Sequence, residues 1–237
     1  SASRIAASRE PAQEYAVLCA AHAAGVATPR PIAFHAGDAQ WPAFIVMTFV
    51  DGDASGHRLT RDARIVDGAA LVAAIGANLA RVHATPRPAL DGLGPVPANP
   101  TRDALDAYRA GVDHWRAVTG DARPVLLWTL RWLESRIPRH EAPVLLHRDY
   151  RVGNLLVDGQ RLAATLDWEF AGWGNALEDL GWFCAPCWRF ARPDLSAGGL
   201  ASVDDLLRGY NAGANTRHQT ADLVTWQVLA QLRWAGI

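Results

Sequence analysis

The chain has 237 residues, 50% of them hydrophobic and 20% charged, with no run of 18 apolar residues, so it reads as an ordinary globular protein rather than a disordered or membrane-spanning one. Its formal net charge is −1 and both signs are scattered, which leaves no basic stripe for a nucleic-acid backbone and excludes nucleic acid and membrane as expected partners. Three cysteines, Cys19, Cys184 and Cys187, are too few and odd in number for a secreted disulfide scaffold and point to a reducing, cytoplasmic setting.

Ser8 to Ala24 reads as the first helix: Tyr15, Leu18, Cys19 and His22 keep helical spacing, Ser8 is placed to cap it, Pro11 suits its first turn and Gly25 ends it. An extended segment follows through Pro29, Pro31 and Ile32. Ala43 to Val50 is an apolar run bounded by Pro42 and Asp51-Gly52, the pattern of a buried strand ending in a turn. From Gly68 to Ala84, Leu71, Ile75, Leu79 and Val82 form a helical stripe, and the proline-rich Thr85 to Pro100 is expected to be loop. Leu105, Tyr108, Val112 and Trp115 mark one amphipathic helix; Leu126, Leu130, Leu133 and Ile137 mark the next. Three short strands follow, Val144–Leu146, Leu155–Val157 and Leu162–Leu166, the last two joined as a hairpin by Asp158-Gly159-Gln160. Val203, Leu206, Leu207 and Tyr210 indicate a helix, and Leu223, Trp226, Leu229 and Leu232 another running into Ile237. That last helix lacks a capping residue, and the chain is expected to stop short of its natural C terminus.

Polar residues concentrate around the hairpin, in His147-Arg148-Asp149-Tyr150-Arg151-Val152-Gly153-Asn154 and in Asp167-Trp168-Glu169. One loop supplies Asp149 and, five residues on, Asn154, while the returning strand delivers Asp167. Phosphoryl transfer needs such a set: a carboxylate to position a hydroxyl, here Asp149, and oxygen ligands to hold magnesium, here Asn154 and Asp167. Either motif alone is commonly a turn former or a cap; their ordered combination around an apolar hairpin is specific.

These blocks resemble the aminoglycoside phosphotransferase and choline kinase-like superfamily over nearly the whole chain. Nearest in pattern are bacterial phosphotransferase-family proteins and kinase domains fused to acyl-CoA dehydrogenases, which Leu166 to Phe190 resembles, including Cys187-Trp188-Arg189-Phe190. The resemblance implies an α+β, protein-kinase-like fold of two lobes, an incomplete N-lobe over residues 1–50 and a mainly helical C-lobe over residues 51–237. It implies a small-molecule kinase using ATP or GTP with Mg2+. Glu14 would stand on the helix whose glutamate pairs with a phosphate-gripping lysine, and Met47, Thr48, Phe49 and Val50 would form the hinge whose backbone binds the adenine edge. Glu169 would assist the metal or the acceptor.

The chain departs from that pattern in containing no lysine, all 23 basic residues being arginine. Three readings compete: residues upstream of this sequence carry the lysine, an arginine such as Arg4 replaces it, or the protein is a nucleotide-binding pseudokinase. The first is favoured because the metal-binding half is intact. Arg148 stands where close relatives usually have glycine, and Asn175 where they often have aspartate.

Cys184-Ala185-Pro186-Cys187 has redox spacing but not the strand-to-helix setting of a reactive thiol, and reads as core or pocket wall. His83 reads as a core histidine and His147 as a group that orients the loop, since Asp149 supplies the base. Asp179 is expected to brace the catalytic loop. Trp168, Trp173, Trp182 and Trp188 read first as packing, with a pocket wall as the alternative. Trp173, Trp188, Arg151 and Arg189 suit an acceptor with an apolar body and an anionic end, a hydroxyacyl compound or hydroxy acid, over an aminoglycoside or choline.

Overall fold

The computed structural model describes residues 8–138 and 142–235; Arg4 and Ile237 lie outside them. Helix α1 (Pro11–Ala23) begins later than Ser8. Pro11 occupies its first turn, where a missing N–H costs nothing, and Glu10 rather than Ser8 stands at the N-cap. Gly25 closes it at φ 79°, in the left-handed conformation that returns the Gly25 and Val26 amides to the carbonyls of His22 and Ala21.

Strands β1 (Pro31–His35) and β2 (Phe44–Met47) pair antiparallel, with Phe34 opposite Ile45. The expected buried strand is therefore present but largely exposed: Phe44 is 43% exposed and Phe49, just beyond it, 88%. The reason is that among the described residues β1 and β2 pair only with each other and rest on α1 through the stack of Tyr15 on Phe34, and a two-stranded ribbon so backed keeps one face in water. Beyond the turn at Asp51-Gly52, Asp53 exchanges both backbone hydrogen bonds with Val157 at 2.9 Å, tying this segment to the later hairpin.

After the single turn α2 (Gly56–Leu59) comes α3 (Gly68–His83), capped by the Asp67 carboxylate on the Ala70 amide at 2.9 Å. Its stripe of Leu71, Ile75, Leu79 and Val82 is wholly buried. The segment expected as loop contains a 3-10 stretch, Arg87–Leu93. Helices α4 (Pro100–Thr119) and α5 (Pro124–Glu134) form a second core with the C-terminal part of the chain, built on Leu105, Leu130, Leu133 and Ile137. The α4 stripe outruns that core, leaving Trp115 39% exposed.

Strand β3 (Val144–Leu146) leads into the polar loop. Strands β4 (Leu155–Asp158) and β5 (Arg161–Thr165) pair antiparallel as expected, Leu155 with Thr165 and Leu156 with Ala164. The turn is Gly159-Gln160, not Asp-Gly: Asp158 is paired with Arg161, and Gly159 supplies the φ of 55° that a tight hairpin demands. Strand β6 (Gly172–Gly174), too short and glycine-rich to be predicted, pairs with β3. Helix α6 (Ala176–Phe183) opens with a capping box of Asn175 and Glu178. Helix α7 (Val203–Ala214) packs on α3, Gly76 and Gly209 letting the two backbones touch. Leu223 falls in a 3-10 turn ahead of α8 (Val224–Ala235). Buried Asn78 knits the layers together: it accepts from the Ala27 amide at 2.8 Å and donates to Tyr150 Oη and Thr165 Oγ1 at 3.2 and 3.0 Å. Among the described residues no helix is long and apolar enough to cross a membrane.

Candidate active site

The loop after β3 is held from beneath by a buried carboxylate. Asp179, fully buried on α6, accepts the amides of His147 and Arg148, each at 2.8 Å, and faces His83 Nε2 at 3.3 Å. Burial alone would push its carboxyl up, but the His83 contact and the His147 amide outweigh it and hold the group below its ordinary value. His83 Nδ1 meets Tyr210 Oη at 2.9 Å, so both ring nitrogens are used, as expected of a core histidine. His147 is likewise buried; burial pushes its pKa down and keeps it neutral. Its Nε2 donates to the Leu166 carbonyl at 2.9 Å and its Nδ1 accepts the Asp149 amide at 3.3 Å. Both predicted bracing roles, Asp179 and His147, thus have their contacts.

On this platform Asp149 is buried and its carboxylate collects three donors. Asn154 Nδ2 reaches Oδ2 at 2.6 Å, Trp182 Nε1 reaches Oδ1 at 2.9 Å, and Arg151 Nε lies 3.0 and 3.2 Å from the two oxygens. Charge-assisted bonds of this kind fix the orientation of a carboxylate. The Arg151 guanidinium itself lies over Gly153 and stands 4.8 Å from the Trp188 ring. Asn154 spends its amide N–H groups on Asp149, leaving its Oδ1 as a hard oxygen donor. The Leu166 amide donates to the Asn154 carbonyl at 2.8 Å, joining the loop to the strand end that carries Asp167.

Asp167 sits at φ 65°, open to solvent. Burial of part of its surroundings, then the charges of Glu169 and Asp149, push its carboxyl pKa up. Glu14, from α1, is raised by burial and by the same neighbours, Asp167 and Glu169, against a favourable contact with the Trp168 backbone. The charges of Glu14, Asp167 and Glu169 therefore repel one another, and the nearby Arg151 guanidinium offsets part of that repulsion at Asp167. Among the described residues no three His, Cys, Asp or Glu side chains stand in ready metal-binding geometry. Magnesium commonly takes only one or two protein ligands and completes its shell with water and phosphate oxygens, which Asn154 Oδ1 and Asp167 fit.

The remaining expected residues are spread over the molecule. Thr48 is used in backbone pairing with Arg30, its amide donating to the Arg30 carbonyl at 2.9 Å, while Met47 and Phe49 are exposed beside it; Val50 follows at the turn. Trp188 joins the site through Arg151, and Arg189 turns to the carbonyls of Cys184 and Pro193. Trp173 is buried in the main core on β6 opposite Leu145. Burial pushes the Cys184 thiol up to about 12, as for a packed rather than a reactive cysteine. Trp182, grouped at first with the packing tryptophans, is the residue that sequence reasoning missed. Its indole donates to Asp149 across 33 positions, while Arg233 stacks on it at 4.3 Å and Trp188 meets it edge-on at 5.4 Å.

The sequence and fold are similar to known ones. The phosphotransferase enzyme family (APH) matches residues 2–222. The chain belongs to that family. Its members are small-molecule phosphotransferases, and the α+β, protein-kinase-like fold is shared by solved structures of low identity. A candidate aminoglycoside phosphotransferase from Ralstonia eutropha JMP134 superposes with a TM-score of 0.72 at 21% identity, over 95% of this chain and 71% of the other. A choline/ethanolamine kinase family protein from Mesorhizobium loti gives 0.63 at 17%, over 97% and 70%. A GDP and kanamycin complex of an APH(2″) enzyme gives 0.64 at 13%, over 93% and 74%. Among curated proteins, mouse acyl-CoA dehydrogenase family member 10 is 27% identical over 107 residues, 40% of this chain. That stretch is 10% of the mouse protein, so the chain spans a small part of this relative's length.

Proposed function

We propose that this chain catalyses transfer of the γ-phosphoryl group of ATP or GTP to a hydroxyl of a small molecule, with Asp149 as the base. The observation that supports it most is the buried Asp149 carboxylate, held by Asn154, Trp182 and Arg151 beside the raised carboxyl of Asp167. The acceptor hydroxyl donates to Asp149, which fixes its oxygen in line with the γ-phosphorus; as the new O–P bond forms, the proton passes to the carboxylate and the nucleoside diphosphate leaves. Magnesium, when bound, neutralises charge on the phosphates. Asn154 and Asp167 would hold it, and Glu169 stands next to them for the metal or the acceptor.

In this reading residues 1–50 form the nucleotide side, with Glu14 at the phosphates and the backbone of Met47, Thr48, Phe49 and Val50 at the base, and residues 51–237 form the catalytic side. Arg151, Trp173, Trp188 and Arg189 are assigned to the acceptor, a hydroxy acid or hydroxyacyl compound, and the three free cysteines suit a reducing, cytoplasmic setting. The test is magnesium-dependent nucleotide hydrolysis and transfer by the full-length protein. Asp149→Asn is expected to lower the rate by about 10²–10⁴-fold; a rate unchanged by it removes Asp149 from the role. Faster phosphorylation of kanamycin-type compounds than of hydroxy acids and hydroxyacyl thioesters overturns the acceptor assignment.

A further inference from the structure

Two guanidinium groups converge on one glycine. A Cβ at Gly172 would lie 2.8 Å from Arg9 Nη2 and 3.0 Å from Arg148 Cζ, so both cations rest on the same strip of bare backbone. Each is held there by a carbonyl rather than an acid: Arg9 Nε donates to Ala171 O and Arg148 Nη2 to Trp173 O, both at 2.7 Å. The Arg9 amide adds a bond to Glu169 O at 2.6 Å. Among the described residues neither side chain makes an ion pair. The acid that Arg148 faces is Glu178, which also faces Arg233 and accepts hydrogen bonds from Thr101 Oγ1 and the Asn175 amide.

This placement is costly in two ways. Burial, and after it the charge of Arg148, push the Arg9 pKa down. Arg148 also adopts φ 66°, a region that side chains with a Cβ enter reluctantly. Both arginines are only partly buried, and paired planar forks match the geometry of an oxyanion.

We infer that Arg9 and Arg148, lying over the Gly172 backbone, form a binding site for a carboxylate or phosphate group, one residue from Asp149 on the catalytic loop. Its occupant is the anionic end of the acceptor or a free anion; the first source rests on the phosphotransferase reading above, and the site itself does not. In the full-length protein, the arginine Nε–H resonances of Arg9 and Arg148 are expected to shift saturably, with one shared dissociation constant, on titration with inorganic phosphate and with 3-hydroxybutyrate. Arg9→Gln is expected to weaken that binding about tenfold or more, the loss of a charged hydrogen-bond donor. Arg148→Gly is expected to do the same while melting no lower than a second fold control, Asp149→Asn, because glycine is at ease at this φ. Resonances that neither anion moves, or an Arg148→Gly protein that binds both as tightly as the unaltered one, overturn the site. A transfer assay separates the sources. A hydroxy acid favoured about tenfold over its methyl ester, with the preference lost in Arg148→Gly, assigns the acceptor's own carboxylate; equal rates with saturable phosphate binding at the pair assign a free anion. Transfer that ignores Asp149→Asn defeats the phosphotransferase reading and leaves the anion titration standing.

Discussion

The inner and outer faces of the catalytic loop treat their carboxylates in opposite ways. Inside, Asp179 is completely buried, yet two amides and a histidine answer its charge, and its pKa is held down. Outside, Asp167, Glu169 and Glu14 lie near one another, and the pKa values of Glu14 and Asp167 are pushed up, by burial first and then by neighbouring carboxylates, more than the Trp168 backbone at Glu14 or Arg151 at Asp167 offsets. A buried carboxylate that is fully bonded is a structural part; an accessible group of carboxylates that repel one another stores an affinity for cations. The contrast sets a scaffold carboxylate against the acidic group of the candidate site.

Removing the inner carboxylate should have the largest effect on the fold. Asp179→Ala strands the His147 and Arg148 amides, and a loss of about 3–5 kcal/mol is expected in urea unfolding. Because the Asp179 pKa is depressed in the folded state, its contribution is present above the ordinary carboxylate range and disappears as pH falls through the folded value. A smaller loss from Asp179→Ala than from Asp167→Ala would break the contrast.

An intermediate effect is expected where the two faces meet. Trp182→Phe keeps an aromatic ring under Arg233 but deletes the N–H that fixes Asp149 Oδ1. Loss of one hydrogen bond to a charged group is worth about 1.5–3 kcal/mol, which predicts a fall in kcat of roughly 10- to 150-fold. The KM for nucleotide is expected to hold. A kcat that follows only the melting temperature would make Trp182 a packing residue.

The outer face should show the smallest effect and the opposite sign. Raised folded-state pKa values at Glu14 and Asp167 mean that the folded chain holds protons more tightly than the unfolded one. Their contribution therefore falls as pH rises from the ordinary carboxylate range through the folded values. Melting temperature should decline over that window without magnesium and recover on its addition at neutral pH, where the carboxylates are free to bind it. Asp167→Asn should flatten both responses; a magnesium effect that survives it would move the metal ligand elsewhere.

How far the sequence carried the reading depended on the range of the signal. The α3 stripe of Leu71, Ile75, Leu79 and Val82 and the β4–β5 hairpin were legible because their periods are set by neighbours within a turn or two. Asp149, Asn154 and Asp167 were legible because a loop and a hairpin bring them together by local geometry alone. The exposure of β2 was misread, since an apolar run reports how a strand could be buried and not what covers it. β6 carries no periodic signal, three residues of which two are glycine being too few to show one.

The sequence by itself determined where most of the helices and the hairpin form and which acidic loop is the candidate for chemistry, because local backbone preference and apolar spacing act over a few residues. Only the tertiary structure decided which groups meet those acids. Trp182 reaches Asp149 across 33 positions, and Arg9 reaches the Ala171 carbonyl beside Gly172 across 162. Such contacts follow from how whole helices and strands pack, and no local pattern encodes the direction in which an indole or a guanidinium is finally aimed.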